Sequence, residues 1–192
     1  AENIDWSRPL VNGPLQQGFD RFFGLAEPAW TFMEGDRVLE APTARLDLTR
    51  IGPELIGPNN IVGIRAPSYE HEHMLPRFTK EAAAFIDGAA GRGPFFLYFA
   101  PMTPHKPVVP NAEFRGASGA GLYGDFVCEL DWAVGEVTSA LERSGAAGNT
   151  LFVFTSDNGP ETTAYTRIAE HGHYSMGDLR GLKRDTWEGG HR

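Results

Sequence analysis

The chain has 192 residues, a formal net charge of −8, and 41% hydrophobic and 22% charged residues. These proportions exclude a collagen, a coiled coil and a disordered tail. The acidic balance, without any run of basic residues, argues against nucleic acid as a partner, because such a partner requires a positive surface. No apolar stretch approaches the ~20 residues that cross a bilayer, and the single cysteine, Cys128, cannot form an intrachain disulfide.

The first third of the chain reads as loops and short strands. Residues 1–35 are irregular and aromatic, which is typical of a segment that wraps over a core built by other parts of the chain. Short β-like pieces follow at 37–39 and 61–64, and Gly-Pro turns at 52–53 and 57–58 lie between them.

From residue 76 the pattern becomes regular. Thr79 is a plausible N-cap, and apolar residues recur at helical spacing from there to Gly88, which predicts a helix. The apolar run 94–100 favours a strand that is buried on both faces.

A second helix and a second strand come next. Apolar residues spaced three and four apart over 123–141 predict a long helix that ends at Gly145, with Cys128 in its core. Residues 150–155 again read as a buried strand. Strand, helix and strand in this order form a βαβ unit with a parallel strand pair, so we expect an α/β fold. Ligands of such sheets bind beyond the carboxyl ends of the strands, which selects residues 102–107 and 156–159.

Asp157 and Asn158 lie directly after the second predicted strand. A carboxylate beside an amide carbonyl suits a hard cation such as Ca²⁺, which takes six to eight oxygen ligands, so further ligands would come from elsewhere. The alternative is that Asp-Asn-Gly is only a turn, since all three residues favour turns.

His105 and Lys183 are candidates for chemistry on an ester. His105, in a Pro-His-Lys-Pro turn, could protonate a substrate oxygen, or it could be an ordinary surface histidine. Lys183 could clamp a tetrahedral anion, or it could be part of a basic surface loop. The nearby pair Gly189 and Gly190 would let the backbone pass close to a ligand or to another segment.

The remaining histidines give weaker signals. His71 and His73 would share one face of an extended segment, which is a possible zinc geometry without a third ligand, and an exposed polar loop is the favoured interpretation. His171 and His173 could face the same crevice as Lys183, and we treat them as candidate substrate-binding residues. Trp30 and Tyr165 are further candidates for the rim of that crevice.

Taken in order, these segments resemble the sulfatase family, of the arylsulfatase A-like type. The matching segments are 18–24, 94–100 followed by 104–107, the helix 123–141 with Asp131, 155–159 and 179–192. The resemblance implies a portion of the sulfatase or alkaline phosphatase-like mixed sheet, flanked by helices. It implies hydrolysis of a sulfate ester by a formylglycine hydrate, with Asp157 and Asn158 as half of a Ca²⁺ site.

The resemblance also implies roles for two side chains and indicates which part of a sulfatase the chain corresponds to. It puts His105 near the ester oxygen and Lys183 on the sulfate oxygens, so both are candidate catalytic residues. The family's Cys/Ser-x-Pro-Ser-Arg nucleophile motif and its N-terminal aspartate pair are not found in 1–192. We therefore expect 1–192 to be a single partial domain from the middle of a sulfatase, without the nucleophile segment and the C-terminal subdomain, and inactive by itself.

Two other functions remain open at this point. The parent could be a phosphatase or phosphodiesterase of the same superfamily, although such sites use several Asp and His ligands around two metals. It could instead be a noncatalytic relative that binds a sulfated ligand. For a sulfatase, the resemblance implies a small-molecule or polysaccharide sulfate ester as substrate. It also implies an exported location, whether periplasmic, extracellular or lysosomal.

Overall fold

The structure is a computed structural model that describes residues 4–26, 29–48 and 62–191. Its strands form two small three-stranded sheets. The first sheet is antiparallel, in the order β1-β3-β4, with Phe23 opposite Glu34 and Met33 opposite Val38. Its strands are β1 (Phe23–Leu25), β3 (Phe32–Glu34) and β4 (Arg37–Val38).

The second sheet is mixed, in the order β2-β6-β5, with β2 parallel and β5 antiparallel to β6. Its strands are β2 (Ala29–Trp30), β5 (Ala44–Asp47) and β6 (Val62–Arg65). A buried cluster packs around it: Trp30, Leu46, Leu48, Ala66 and Tyr69. The strands predicted at 37–39 and 61–64 are therefore confirmed as β4 and β6, while Ile61 and the Gly-Pro turns at 52–53 and 57–58 lie outside the described residues.

Four α-helices lie in the described ranges. They are α1 (Met74–Ala89), α2 (Gly121–Arg143), α3 (Ala164–His171) and α4 (Glu188–His191). Short 3₁₀ turns cover Pro14–Gln17, His71–His73, Ala112–Phe114 and Ala147–Asn149. In this part of the chain no helix has both the length and the apolar character needed to cross a membrane.

The two long helices pack against each other and form the second core. Their contact buries five side chains: Ala82, Ile86, Val137, Ala140 and Leu141. Both helices were predicted from the spacing of their apolar residues, and both predictions are confirmed. The predicted start of α1 is wrong, because Thr79 lies inside the helix, where its buried hydroxyl donates to the Leu75 carbonyl at 2.8 Å.

The buried face of α2 also contains acidic residues. Asp125 is 3% exposed and Glu129 is fully buried, whereas Val127 of the predicted apolar stripe is 38% exposed. The Asp125 carboxylate accepts hydrogen bonds from the main-chain N–H groups of Gly116 and Ser118 at 2.8 and 2.9 Å. This part of the helix therefore organises the loop that precedes it, and Cys128 is only half-buried.

The two predicted buried strands are not formed. Residues 94–100 and 150–155 are irregular, and within the described ranges no strand pairs with them. Phe95, Leu97 and Phe99 pack on the α1–α2 core, while the alternate residues Phe96 and Tyr98 are 75% and 71% exposed. A strand requires a hydrogen-bonded neighbour, and apolar composition alone does not supply one. The parallel pair of the βαβ unit is therefore wrong here, although the mixed α/β class is confirmed.

Candidate functional site

The segment after residue 156 is joined to the segment that carries Lys183. The Lys183 main-chain N–H donates to the Pro160 carbonyl at 2.8 Å, and the Gly159 N–H donates to the Gly190 carbonyl at 3.0 Å. A side-chain pair, Glu161 with Arg184, lies beside these two bonds. Asp157 and Asn158 are thus tied to Lys183 through short stretches of backbone.

Glycines make this close approach possible. A Cβ atom on Gly189 would lie 2.8 Å from the Arg180 carbonyl oxygen, and one on Gly190 would lie 2.8 Å from the Leu182 carbonyl oxygen. Gly181 has a φ of +95°, a conformation that L side chains rarely adopt. The sequence predicted that the glycine pair would permit a close approach, and the neighbour is the loop that carries Lys183.

Asp157 and Asn158 each make a local hydrogen bond within the turn that they form. Asp157 is exposed, and its Oδ1 accepts the Asn158 main-chain N–H at 2.9 Å. The Asn158 amide donates through Nδ2 to the Gly159 carbonyl at 2.9 Å, which leaves its Oδ1 as an acceptor. One carboxylate and one amide oxygen fit a Ca²⁺ ion as part of its ligand set. No cluster of three or more His, Cys, Asp or Glu residues suited to a metal occurs among the described residues, so these two would need further oxygens.

The electrostatics near Lys183 are set by a neighbouring ion pair. Arg184 donates from both terminal nitrogens to the Glu161 carboxylate, each at 2.8 Å. These bonds hold the pKa of Glu161 down at about 2. Because Arg184 is occupied in this way, the half-buried Lys183 is the other cation of this turn that can meet an anionic ligand.

His105 is exposed at the tip of the turn that follows residue 102. Its main-chain N–H donates to the Met102 carbonyl at 2.7 Å, which closes the turn. Its Nδ1 lies 2.6 Å from the Lys106 carbonyl oxygen. Because a carbonyl can only accept, Nδ1 carries the hydrogen, and the free ring nitrogen is Nε2.

The backbone around His105 is buried on the far side of the turn. Residues 107–110 are all buried. The ring of His71 is itself only 7% exposed, and its Nδ1 lies 2.9 Å from the Tyr69 hydroxyl. Further along, Asn111 donates its main-chain N–H to Glu129 Oε2 at 2.8 Å. The favoured sequence interpretation of 71–73 as an exposed polar loop is therefore wrong for His71, whereas His73 is exposed.

His171 and His173 pack against the start of α2. A Cβ on Gly121 would lie 2.8 Å from His171 Nε2, and the His173 ring lies 6.2 Å from that of Tyr123. Arg167 of α3 covers the same Tyr123 ring, with its guanidinium carbon 3.7 Å from the ring centroid. Both histidines therefore have structural contacts at this helix–helix junction.

The structure contradicts one candidate for the substrate rim and leaves a second one untested. Trp30 is 4% exposed in the core of the mixed sheet, so its proposed place on a rim is wrong. Its ring contacts those of Tyr69 and His71 at 6.0 and 5.0 Å. Tyr165 is 62% exposed and stays a prediction.

The structure thus joins the backbone segments that carry Asp157, Asn158 and Lys183, but it does not join His105 to them. Among the described residues, His105 shares no hydrogen bond, ion pair or ring contact with any of the three. Sequence reasoning also missed the Glu161–Arg184 pair and the buried Glu129. Opposite charges 23 positions apart give no periodic signal, while Glu129 does stand out as a carboxylate on the core face of an apolar helix.

Comparison with known proteins shows that one protein family matches nearly the whole chain. The family model described as Sulfatase matches residues 6–192. The chain is 36% identical over 138 residues to an N-acetylgalactosamine-6-O-sulfatase of Bacteroides thetaiotaomicron, an alignment that covers 69% of this chain and 26% of that protein. It is 46% identical over 117 residues to arylsulfatase A of Bos taurus, covering 60% of this chain and 22% of that protein.

Two further comparisons concern the whole length and the fold. The chain is 33% identical over 183 residues to the N-acetylgalactosamine-6-sulfatase of Mus musculus, which covers 93% of this chain and 33% of that protein. A solved sulfatase structure concerned with glycosaminoglycan metabolism by Bacteroides thetaiotaomicron superposes with a TM-score of 0.76 at 27% identity, covering 97% of this chain and 47% of that one. The chain therefore spans between 22% and 33% of the length of these curated relatives and about half of the solved structure.

Proposed function

Because the chain belongs to the sulfatase family, we propose that it supplies part of the active site of a sulfuric ester hydrolase. The observation that supports the proposal is the hydrogen bond from Lys183 N–H to the Pro160 carbonyl, which joins the backbone segment of Lys183 to the segment of the oxygen donors Asp157 and Asn158. A lysine can hold a sulfate group directly, whereas the carboxylate and the amide oxygen can do so through a bound Ca²⁺ ion.

Lys183 is the residue that we assign to the sulfate oxygens. Its neighbour Arg184 is held by Glu161, so the ammonium of Lys183 is the positive group that remains for the ligand at this turn. Negative charge builds on the sulfate oxygens as the ester bond breaks, and a preorganised cation stabilises that charge. Lys183 is therefore expected to contribute more to turnover than to the binding of the substrate.

His105 is the residue that we assign to the leaving group. Its Nδ1–H is directed to the Lys106 carbonyl, which leaves Nε2 as the nitrogen that faces solvent. In its protonated form Nε2–H can donate a proton to the departing alcohol oxygen, as general acids do. His105 lies on a separate loop from Lys183, so we propose that the substrate, rather than a direct contact, connects the two side chains.

Asp157 and Asn158 would hold a Ca²⁺ ion together with ligands from outside residues 1–192. When bound, the ion supplies positive charge to the sulfate oxygens. The nucleophile, for which the family uses a formylglycine, would likewise come from outside 1–192. We propose that these 192 residues are the middle of the catalytic domain and do not turn over a sulfate ester by themselves.

The substrate is proposed as a class only. The relatives include two proteins named for a sulfated amino sugar and one named for aryl sulfates. We therefore propose a small-molecule or polysaccharide sulfate ester, bound near His171 and His173. An exported location goes with the proposal, because a polysaccharide substrate would be met outside the cytoplasm.

The first experiment determines the DNA sequence of the reading frame on both sides of these 192 codons. The expected result is Cys or Ser followed by x-Pro-Ser-Arg, behind an aspartate pair, within roughly one hundred upstream codons. The polypeptide encoded by that frame is then assayed with matched aryl sulfate and aryl phosphate esters, with and without added Ca²⁺.

Each outcome of this assay decides between functions. Faster hydrolysis of the sulfate ester supports the proposal, while faster hydrolysis of the phosphate ester would assign the protein to the phosphatases of the superfamily. Binding of a sulfated ligand without turnover, in a frame that lacks the nucleophile motif, would make it a noncatalytic binding protein. Turnover of an aryl sulfate by residues 1–192 alone would refute the proposed division of the site.

A further inference from the structure

Arg180 stacks on an exposed tryptophan in the loop that carries Lys183. Its guanidinium carbon lies 3.9 Å from the centroid of the Trp187 ring, and Trp187 is 50% exposed. The backbone of Arg180 is fixed as well, because its carbonyl accepts the Gly189 N–H at 2.8 Å. A guanidinium that stacks on a ring is held by its face, while the N–H groups along its edge stay available. Arg180 is therefore held in place without the use of its hydrogen-bond donors.

The other two arginines that stack on rings in the described ranges use their donors within the fold. Arg77 pairs with the Glu81 carboxylate at 3.1 Å. Arg167 donates to two side-chain hydroxyls at 3.1 and 3.2 Å. The exposed side chain of Arg180 makes no hydrogen bond and no ion pair with any described residue. Its donors are therefore open to a ligand.

The edge of a guanidinium recognises oxyanions. Its planar donors match the paired oxygens of a carboxylate or a sulfate group, which they bind through two parallel hydrogen bonds. Arg180 lies three residues before Lys183, so the two Cα atoms are at most about 11 Å apart. In the proposed function Lys183 takes the sulfate group that is cleaved. An anion bound by Arg180 would then be a second anionic group on the same substrate.

The charge of the whole chain makes local cations important for such a substrate. The formal net charge is −8, which repels a polyanion at long range. The charge of Arg184 is balanced by Glu161. Within residues 179–184, Arg180 and Lys183 are the two positive side chains that have no carboxylate partner among the described residues. Both are therefore available to a ligand with two anionic groups.

We propose that Arg180, held on Trp187, binds a second anionic group of the substrate, on the sugar next to the one whose sulfate ester is hydrolysed. The site then favours saccharides with two or more anionic groups over alcohols that carry a single sulfate. The second group is a carboxylate or a sulfate, because both present the same pair of oxygens to a guanidinium. The inference rests on the proposed function, since Lys183 locates the first anion.

The test uses the longer polypeptide found by the reading-frame experiment and four probes. Each probe contains N-acetylgalactosamine 6-sulfate, the sulfated amino sugar for which two relatives are named. One probe is the monosaccharide, and the others join it to a uronic acid, to a 6-sulfated hexose or to a neutral hexose. We expect KM to be about five- to tenfold lower for the two doubly charged probes, with kcat unchanged. Dissociation constants replace KM if the frame lacks the nucleophile motif.

Substitution of Arg180 should remove this preference. Arg180→Gln should raise KM for the doubly charged probes to the value of the monosaccharide and leave the other two probes unchanged. Arg180→Lys, which keeps the charge but not the planar pair of donors, should retain only part of the preference. Arg77→Gln is the matched control, because it removes a stacked arginine whose donors are already engaged, and it should change none of the four values.

Two results would overturn the second anion site. An equal loss for all four probes in Arg180→Gln would mean that Arg180 only supports the loop. Equal KM values for the charged and neutral disaccharides in the unmodified polypeptide would mean that the neighbouring sugar, and not its charge, is recognised. Different values for the uronic acid and the sulfated hexose, both lost in Arg180→Gln, would support the site and show which oxyanion it prefers.

Lys183→Ala separates this inference from the proposed function. It should slow the hydrolysis of all four probes alike, because each carries the sulfate group that is cleaved. If Lys183→Ala changes none of the rates, the role assigned to Lys183 fails, and the inference that rests on it fails too. If Lys183→Ala slows all four probes while Arg180→Gln has no selective effect, the second anion site fails and the proposed function stands.

Discussion

Arg184 donates two hydrogen bonds of 2.8 Å to the Glu161 carboxylate, one from each terminal nitrogen of its guanidinium. The pair joins the same two segments as the hydrogen bond from Lys183 to Pro160. The two segments of the candidate site are therefore held together by side chains as well as by backbone. Bidentate pairs of this kind add geometric definition beyond their modest energy at an exposed position.

Arg184→Ala should remove part of the acid sensitivity of the fold. The pKa of Glu161 is about 2 in the folded chain, below its ordinary 4.5, because Arg184 favours the charged form. The stabilisation is therefore present above pH 4.5 and is lost as the pH falls toward 2. Melting temperatures measured from pH 6 to 2 should fall less steeply in the variant, whereas Lys80→Ala, on the exposed face of α1, should follow the parent curve. Parallel curves for Arg184→Ala and the parent would contradict this prediction.

Gly190→Ala should destabilise the loop that carries Lys183. The added Cβ would meet the carbonyl oxygens of Asp185 and Leu182, and neither can move without shifting the loop. We expect a loss of about 1–3 kcal/mol in the free energy of unfolding, measured with urea, as for other overpacked sites. Gly88→Ala is the control, because Gly88 lies on a helix with open space around it and alanine there should stabilise slightly. Equal effects of the two substitutions would refute the close approach.

His71 should make the chain less stable in weak acid. Its folded pKa is about 4, below its ordinary 6.5, because burial disfavours the charged ring. The unfolded chain therefore takes up the proton first, and stability is lost as the pH falls from 6.5 to 4, by about 3 kcal/mol in the limit. Urea unfolding at pH 7 and pH 4 should show a smaller difference in His71→Phe than in the parent or in His73→Gln. A difference as large in His71→Phe as in the parent would show that other groups cause it.

Glu129→Gln should stabilise the chain at neutral pH. Burial raises the pKa of Glu129, the Glu72 charge adds to the rise, and the Asn111 N–H opposes it. Because the folded pKa lies above the unfolded value, the stability of the parent declines as the pH rises through the folded pKa. Glutamine keeps an oxygen acceptor for Asn111 without a charge, so its advantage should appear near pH 7 and vanish near pH 4. Glu129→Leu leaves that N–H without its acceptor and should lose about 1–3 kcal/mol at both pH values.

Lys183→Ala should impair turnover in the longer, active polypeptide. Loss of one group that stabilises anionic charge in a transition state typically costs about 2.7–4 kcal/mol, so kcat/KM for a sulfate ester should fall by at least about two orders of magnitude. Lys80→Ala, a substitution of the same type on an exposed helix face, should leave the rate unchanged. A change smaller than threefold in Lys183→Ala would remove Lys183 from the site.

The parts of the fold that could be predicted from the sequence are those that depend on local periodicity. Helices α1 and α2 follow from apolar residues three and four apart, and Gly145, with a φ of +71°, lies just beyond the end of α2 as expected. The eight-residue α3 was not predicted, because a short segment that is polar on average does not stand out from a loop in the sequence. Strand pairing is non-local, so the apolar runs at 94–100 and 150–155 could not show what lies beside them.

For the candidate site, the sequence identified the types of residue better than it identified which residues lie close together. The oxygen donors Asp157 and Asn158 and the glycine pair were visible as sequence motifs, and the structure joins their segments to each other and to the Lys183 loop by backbone hydrogen bonds. The burial of His71 was misjudged, because a His-Glu-His segment looks polar in any window of sequence. Its ring neighbour Trp30 comes from a distant part of the chain.

The outward-facing residues of the two unpaired apolar segments have a practical consequence for anyone who prepares these 192 residues. Phe95 to Phe99 and Leu151 to Phe154 are uncharged and rich in aromatic or branched side chains, and Leu151 is 90% exposed. Such segments are templates for intermolecular β-sheets, the route by which proteins form fibrils and inclusion bodies. Stability measurements on the isolated chain therefore call for dilute solutions, and Phe96→Lys with Val153→Lys should raise the concentration at which aggregation begins.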